Sequence, residues 1–188
     1  MTRGGTSRGV VGSGRRVVLR RPRATDRAEL TGLNRDSVRF HGHRLIAPPR
    51  RAAEFDRYLR RSRAANYVGL LVCRREDGAI VGTVNLFDIA RGPFQAAGIG
   101  YYVGARFAGQ GYMIEALALA LRHAFVTLGL HRVEAAIQPD NRASIRLVRR
   151  AGFHREGLSR GYIRMGGHWR DHERWALLRE DWRRGRRR

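Results

Sequence analysis

Between Gly98 and Leu128 the chain passes from an apolar strand, Gly-Ile-Gly-Tyr-Tyr-Val, through the loop Gly-Ala-Arg-Phe-Ala-Gly-Gln-Gly and into a helix opening at Tyr112. This stretch limits the fold more than any other. Met113, Ile114, Leu117, Leu121, Ala124, Phe125 and Leu128 recur at steps of three and four, so one stripe of the helix faces a sheet. Gly109 and Gly111 precede its first turn. Glycines there let successive backbone N–H groups turn toward one point, and a helix N-terminus adds unsatisfied donors and partial positive charge. The loop therefore suits a phosphate or pyrophosphate, with Arg106 placed to add a cation at the rim. The alternative is a glycine-rich strand-to-helix turn that holds no ligand.

Spacing decides which phosphate ligand is meant. A P-loop requires Gly-x-x-x-x-Gly-Lys-Ser/Thr, but all 38 basic residues are arginine, and a dinucleotide fingerprint starting at Gly109 requires glycine where Ile114 stands. What remains is Arg-x-x-Gly-x-Gly, Arg106 to Gly111. After a strand and opening a helix, that pattern resembles the coenzyme A pyrophosphate loop of the GNAT N-acetyltransferases. The resemblance makes Arg106, Phe107, Ala108, Gly109, Gln110, Gly111 and Tyr112 candidate cofactor contacts.

At 188 residues the chain is expected to form a single domain over 15–182, burying about 70% of its unfolded surface. Residues 1–14 mix Gly, Ser, Thr and Arg without periodicity and are expected to be a disordered basic arm, and 183–188 a basic tail. The one cysteine, Cys73, lies in the apolar run Tyr67 to Cys73 and reads as a buried core thiol. No signal-peptide core and no apolar run of membrane-spanning length is present, so a cytoplasmic location without membrane contact is expected. A formal charge of +22 means a surface that attracts polyanions or acidic peptides. The complete absence of lysine looks like a compositional bias rather than a choice made site by site.

Along the chain, Val17 to Arg20 reads as a short strand. Thr25 is expected to cap a helix through about Val38, with Asp26 in its first turn. His41-Gly42-His43 lies in a loop ending at Pro48-Pro49, and a second helix runs to about Arg63. The His-x-His pair has no Cys or acid at ligand spacing beside it, so no metal is expected. Tyr67 to Cys73 and Ala79 to Ile89 are strands joined at Glu76 to Gly78, and Ala96 to Val103 is the strand feeding the loop. Val133 to Ile137 is a strand and Arg142 to Arg150 a helix closed at Gly152. His154 to Arg164 and His168 to Leu177 form a closing hairpin around Gly166-Gly167.

Asn141-x-x-Ser144, Gly152-Phe153, Glu156-Gly157, and Gly167-His168-Trp169-Arg170-Asp171-His172 resemble the RimJ/RimL group of GNAT enzymes, and Arg91-Gly92-x-Phe94-x-Ala96 the RimJ side. The resemblance implies an α/β fold with a mixed, strongly twisted sheet, helices on both faces, and strands splayed at the cofactor cleft. It implies acetyl-CoA as co-substrate, no metal, and a protein N-terminal amine such as that of a ribosomal protein as acceptor, in a monomer or homodimer. On the splayed edge, backbone groups of Tyr101, Tyr102 and Val103 are expected to bond the pantetheine amides. By resemblance Asn141 binds the cofactor and Ser144 lies near its sulfur; otherwise the two are an N-cap and a first-turn hydroxyl.

Acetyl transfer needs a neutral amine, oxyanion stabilisation and protonation of a thiolate whose thiol has a pKa of ~8.5. A backbone N–H near Val103 is the candidate oxyanion donor, and Ser144 the candidate acid, with Tyr162 competing. Gly98 stands where many relatives carry Glu, which leaves Asp88 and Glu134 as candidate bases, each also readable as a solvated acid. Two other functions stay open. One is acetylation of a small-molecule amine. The other is a catalytically weakened module that binds ribosomal RNA through its basic arm and tail.

Overall fold

The computed structural model describes residues 9–44 and 48–185. Among them, eight strands form one sheet: β1 Val10–Ser13, β2 Val17–Arg20, β3 Val68–Arg74, β4 Ile80–Ala90, β5 Ala96–Val103, β6 Arg132–Ile137, β7 His154–Met165 and β8 His168–Leu178. Their spatial order is β1-β2-β3-β4-β5-β6-β8-β7. Every neighbouring pair is antiparallel except β5 with β6. Helices α1 Arg27–Asp36, α2 Val38–His41 and α3 Ala52–Arg61 lie between β2 and β3, with α4 Tyr112–Arg122 after β5, α5 Arg142–Arg150 after β6, and α6 Arg179–Gly185 last. This is the mixed sheet flanked by helices that the sequence implies.

Burial follows from the pattern of each element. Val68 to Cys73 in β3 are all buried, as a central strand covered on both faces requires. β6 alternates instead, burying Val133, Ala135 and Ile137 and leaving Arg132, Glu134 and Ala136 on a partly open face. α4 buries Met113, Leu117 and Leu121 of the expected stripe, together with Ala116 and Ala120, while Ile114 is half-buried. The helix does not run on unchanged to Leu128: His123–Thr127 widens into a π turn, which seats Phe125 with its ring centroid 5.4 Å from that of Trp182. Cys73 is buried, and burial pushes its thiol up to about 11, in keeping with a core thiol.

Three expectations change. The stretch expected to be a disordered arm forms β1 from Val10 onward, paired with β2 at Val10↔Arg20, Gly12↔Leu19 and Ser13↔Val18; residues 1–8 lie outside the described residues. Of the basic tail, Arg183 and Arg184 belong to α6, and 186–188 lie outside the described residues. Thr25 does not cap a helix. Ala24–Asp26 forms a 3₁₀ turn in which the Asp26 carboxylate accepts the Arg23 N–H at 2.6 Å, while Arg20 holds both its oxygens at 2.7 and 2.8 Å. The carboxylate thus closes the turn that leads into α1, whose own N-cap, Asp26, makes no side-chain cap bond.

Candidate functional site

β5 and β6 pair only at Ala96↔Arg132, Ala97↔Val133 and Gly98↔Glu134. From Ile99 to Val103, β5 keeps its β4 partner, with Val84↔Tyr101, Thr83↔Tyr102 and Gly82↔Val103, and has no strand on its other side among the described residues. β6 meanwhile stays paired with β8 along its whole length, Arg132↔Leu178 to Ile137↔Glu173, and diverges with it. The backbone of Tyr101, Tyr102 and Val103 thus faces a cleft in which an extended chain bearing amides would add as a further strand.

The loop stands at the mouth of this cleft. Ala105–Phe107 makes one 3₁₀ turn, with the Phe107 N–H donating to the Gly104 carbonyl at 2.9 Å and the Ala108 N–H to Ala105 at 3.2 Å. The N–H groups of Gly109, Gln110 and Gly111 have no backbone acceptor among the described residues, and no side chain caps α4. Gly109 and Gly111 have φ of +76° and +81°, the left-handed region in which a side chain is strained. Gln110 Nε2 donates to the Arg106 carbonyl at 2.9 Å and braces the loop. The Arg106 guanidinium lies over the ring of buried Phe107 at 4.8 Å, and Phe107 meets the Tyr112 ring edge-on at 6.2 Å.

A second cation joins the loop that sequence reasoning missed. Arg16 Nη1 donates to the Gln110 carbonyl at 2.8 Å, and the guanidinium stacks 4.4 Å from the Tyr112 ring centroid. Its own N–H donates to Glu115 Oε1 at 2.8 Å, which fixes the start of β2 against the first turn of α4. Residues 16 and 110 are 94 positions apart, so nothing local signals this contact; the only hint was an arginine at the entrance to a strand.

Deeper in the cleft, Asn141 caps α5 through Oδ1, which accepts the Ser144 N–H at 3.2 Å. Its amide N–H₂ has no acceptor among the described residues. Ser144 Oγ donates to Tyr101 Oη at 3.1 Å, and Tyr101 Oη reaches the Ser144 carbonyl at 3.4 Å. Burial pushes the Tyr101 phenol up to about 12, with the Ser144 bond pulling the other way, so the phenol stays protonated at neutral pH and can relay a proton without carrying charge. The sequence reading placed only the backbone of Tyr101 here; the hydroxyl pair joins two elements.

The remaining candidates do not converge on this pair. Tyr162 is 42% exposed and packs against Arg174 at 4.6 Å and His172 at 6.1 Å. Arg174 pairs with Ala136, on the β6 face that carries Glu134, whereas Tyr101 points to the opposite face from Gly98 and Gly100. Glu134 accepts Arg132 Nε and Arg174 Nη2, each at 2.7 Å, so both its oxygens are bound, one within β6 and the other in an ion pair that ties β6 to β8. Asp88 is exposed at φ +51°, in a bulge between Phe87 and Ala90. Asp171 orders the closing hairpin, accepting the Gly161 N–H at 2.7 Å.

Gly98 has a packing reason. A Cβ on it would sit 2.3 Å from Phe87 Cε2, because the Phe87 ring lies across the strand over Gly98 and Gly100. An aromatic ring, not an absent carboxylate, fills the position. Gly98→Ala is therefore expected to destabilise by about 1–3 kcal/mol through overpacking, and Phe87→Leu in the same background to return part of the loss. Urea denaturation midpoints check both.

On the face that Tyr102 shares with Thr83 and Asn85, a cavity of about 380 Å³ opens beneath α3, lined also by Pro49, Tyr58 and Tyr67. Tyr58 Oη donates to Asn85 Oδ1 at 3.0 Å across it. Tyr102 belongs to both spaces: its backbone edges the cleft and its side chain lines the cavity. A larger cavity, about 490 Å³, lies at the far end of the sheet around Arg21, Arg63 and Arg91, away from the loop.

A parallel pair that parts just ahead of a glycine loop at a helix start defines a cleft for an extended, amide-bearing ligand that ends in phosphate. Residues 16–154 match the family model of the acetyltransferase (GNAT) domain, and the chain belongs to that family. It is 44% identical over 105 residues to a probable N-acetyltransferase, YjcK, of Bacillus subtilis, covering 56% of this chain and 58% of the relative. It is 38% identical over 123 residues to the ribosomal protein uS5-alanine N-acetyltransferase of Escherichia coli, covering 65% and 62%. The chain thus spans about three fifths of the length of these curated relatives. Among solved structures, Mycobacterium smegmatis RimJ in complex with CoA-disulfide matches with a TM-score of 0.79 at 27% identity, over 87% of this chain and 82% of that one.

Proposed function

We propose that this protein transfers the acetyl group of acetyl-CoA to the N-terminal amine of a protein, with a ribosomal protein as the acceptor class that its relatives point to. The observation that carries the reading is the parting of β5 from β6 at Gly98, with the phosphate loop at its mouth and the Tyr101–Ser144 pair within. The N–H groups of Gly109 to Gly111 receive the CoA pyrophosphate, with Arg16 and Arg106 balancing its charge. The cleft edge of Tyr101 to Val103 bonds the pantetheine amides, and the Asn141 amide donates to the same arm. A backbone N–H near Val103 meets the oxyanion. Ser144 protonates the thiolate, and Tyr101 stands behind it as the relay.

The acceptor amine enters from the cavity beside Tyr102. An N-terminal amine, with a pKa of ~7.7–8.0, offers a usable neutral fraction at pH 7, which a lysine at ~10.4 does not. No helix among the described residues is long and apolar enough to cross a membrane, in keeping with the cytoplasm as the place of work. The excess positive charge supports contact with ribosomal RNA around such an acceptor.

CoA thiol release with a panel of acceptors tests the reading. Unblocked peptides are expected to release thiol, and the same peptides with blocked N-termini are not. Acetylation of polyamines alone would place the protein among small-molecule acetyltransferases, and binding of RNA without turnover on any amine would make it a scaffold.

A further inference from the structure

α2 is pinned over the end of β5. Ser37 Oγ donates to the Leu33 carbonyl at 2.6 Å and accepts the Ala105 N–H at 2.9 Å, which fastens the helix to the backbone just past Val103. The His41 imidazole is thereby set edge-on to the Tyr102 ring, centroids 5.8 Å apart, beside the Val103 carbonyl, and meets the Phe40 ring edge-on at 4.9 Å. Its Nε2 is buried and has no hydrogen-bond partner among the described residues. A buried nitrogen left unmatched is costly, and sites that keep one commonly use it on a ligand. His43 diverges from it and approaches Asp140, Nε2 to Oδ2 3.7 Å.

The acceptor cavity and the cleft meet at Tyr102, and the carboxylates offered by the sequence stand elsewhere: Asp88 in a bulge, Glu134 in two ion pairs. We propose that His41 is the proton acceptor for the incoming amine, an inference that rests on the acetyl-transfer reading. In the step, the amine nitrogen attacks the thioester carbonyl carbon, a C–N bond forms and the C–S bond breaks. His41 takes the proton lost by nitrogen and returns it to solvent, while Ser144 supplies a proton to the departing sulfur and regains one from solvent by way of Tyr101. One proton leaves nitrogen and one reaches sulfur, so the reaction balances without a further reactant.

The surroundings keep the ring ready for this. Burial pushes His41 below its usual 6.5, Arg44 and Arg50 push the same way, and the Val103 carbonyl opposes them. Tyr102 is the titratable group facing the ring from β5. The imidazole is thus neutral at pH 7 and able to accept. A carbonyl beside one ring nitrogen also holds the proton there and leaves the other lone pair for the substrate.

The test compares full-length wild type with His41→Gln and His41→Ala on an unblocked peptide. Turnover is expected to fall ~100-fold at unchanged CoA affinity by calorimetry. The acid limb of kcat/KM in wild type should carry two ionisations, the amine's and a lower one that coincides with the His41 ring titration by NMR; the variants should lose the lower. Added imidazole should restore part of the activity of His41→Ala. Turnover within about twofold of wild type, or an acid limb unchanged in a variant that still binds CoA, overturns the role. If both variants lose CoA binding, the wild-type comparison decides: a lower ionisation that does not coincide with the His41 titration overturns it. A wild type that acetylates no amine sinks the acetyl-transfer reading itself, an outcome distinct from an active wild type with equally active variants.

Discussion

Gly111→Val is expected to weaken CoA binding at least tenfold, ~1.4 kcal/mol, and calorimetry with CoA measures it directly. Gly111 is the N-cap of α4 at φ +81°, a conformation that costs an L-residue about 1–2 kcal/mol and a β-branched one more. Its Cβ would also lie 3.7 Å from Arg16 Nη1, so the valine methyls crowd the guanidinium that anchors the Gln110 carbonyl. Relieving either strain turns the loop N–H groups away from a common point. Gly109→Val separates the two causes. At φ +76° with open space around its Cβ, its loss comes from conformation alone and should be the smaller. Affinity within about twofold of wild type for Gly111→Val, ~0.4 kcal/mol, contradicts the assignment of the loop.

Ser144→Ala is expected to lower turnover ~100-fold while leaving acetyl-CoA affinity near that of wild type. The N-cap of α5 uses the Ser144 backbone N–H, which alanine keeps, so the helix and Asn141 hold their places. Only the hydroxyl is lost, and with it the link from the cleft to Tyr101 Oη. Turnover unchanged at saturating acceptor contradicts the acid role and passes it to water. Tyr162 is a poor substitute, since it stands with Arg174 on the other face of the sheet.

What could be seen in the sequence was what depends on near neighbours. β2, β5 and α5 fall at the residues their patterns predict, because alternation, apolar runs and an Asn cap act within a turn or two. The glycine loop was legible for the same reason: its glycines, the preceding strand and the following helix are consecutive. The cleft was legible only through the family resemblance, since no local pattern shows that β6 follows β8 rather than β5.

The site residues divide in the same way. Gly98 invited a reading as a lost carboxylate, yet its cause is Phe87, eleven positions earlier and directly across the strand. Arg16 at the loop and the Tyr101–Ser144 bond come from packing between distant elements. His41 was set aside together with His43, as a pair lacking the further ligands of a metal site, because spacing was all that could be judged, and the burial that sets it apart from His43 exists only in the fold. β1 was overlooked because two valines among glycines and arginines are too few to signal a strand until β2 offers an edge.

The central claim, acetyl transfer to a protein N-terminus, is tested most directly by mass spectrometry of a peptide with a free α-amine and internal lysines after incubation with acetyl-CoA and the protein. One acetyl group per peptide is expected, located on the α-amine by fragmentation and formed more slowly at low acetyl-CoA when Gly111→Val replaces the wild type. Acetylation confined to lysine side chains, or none at all from a protein that binds CoA, would contradict it.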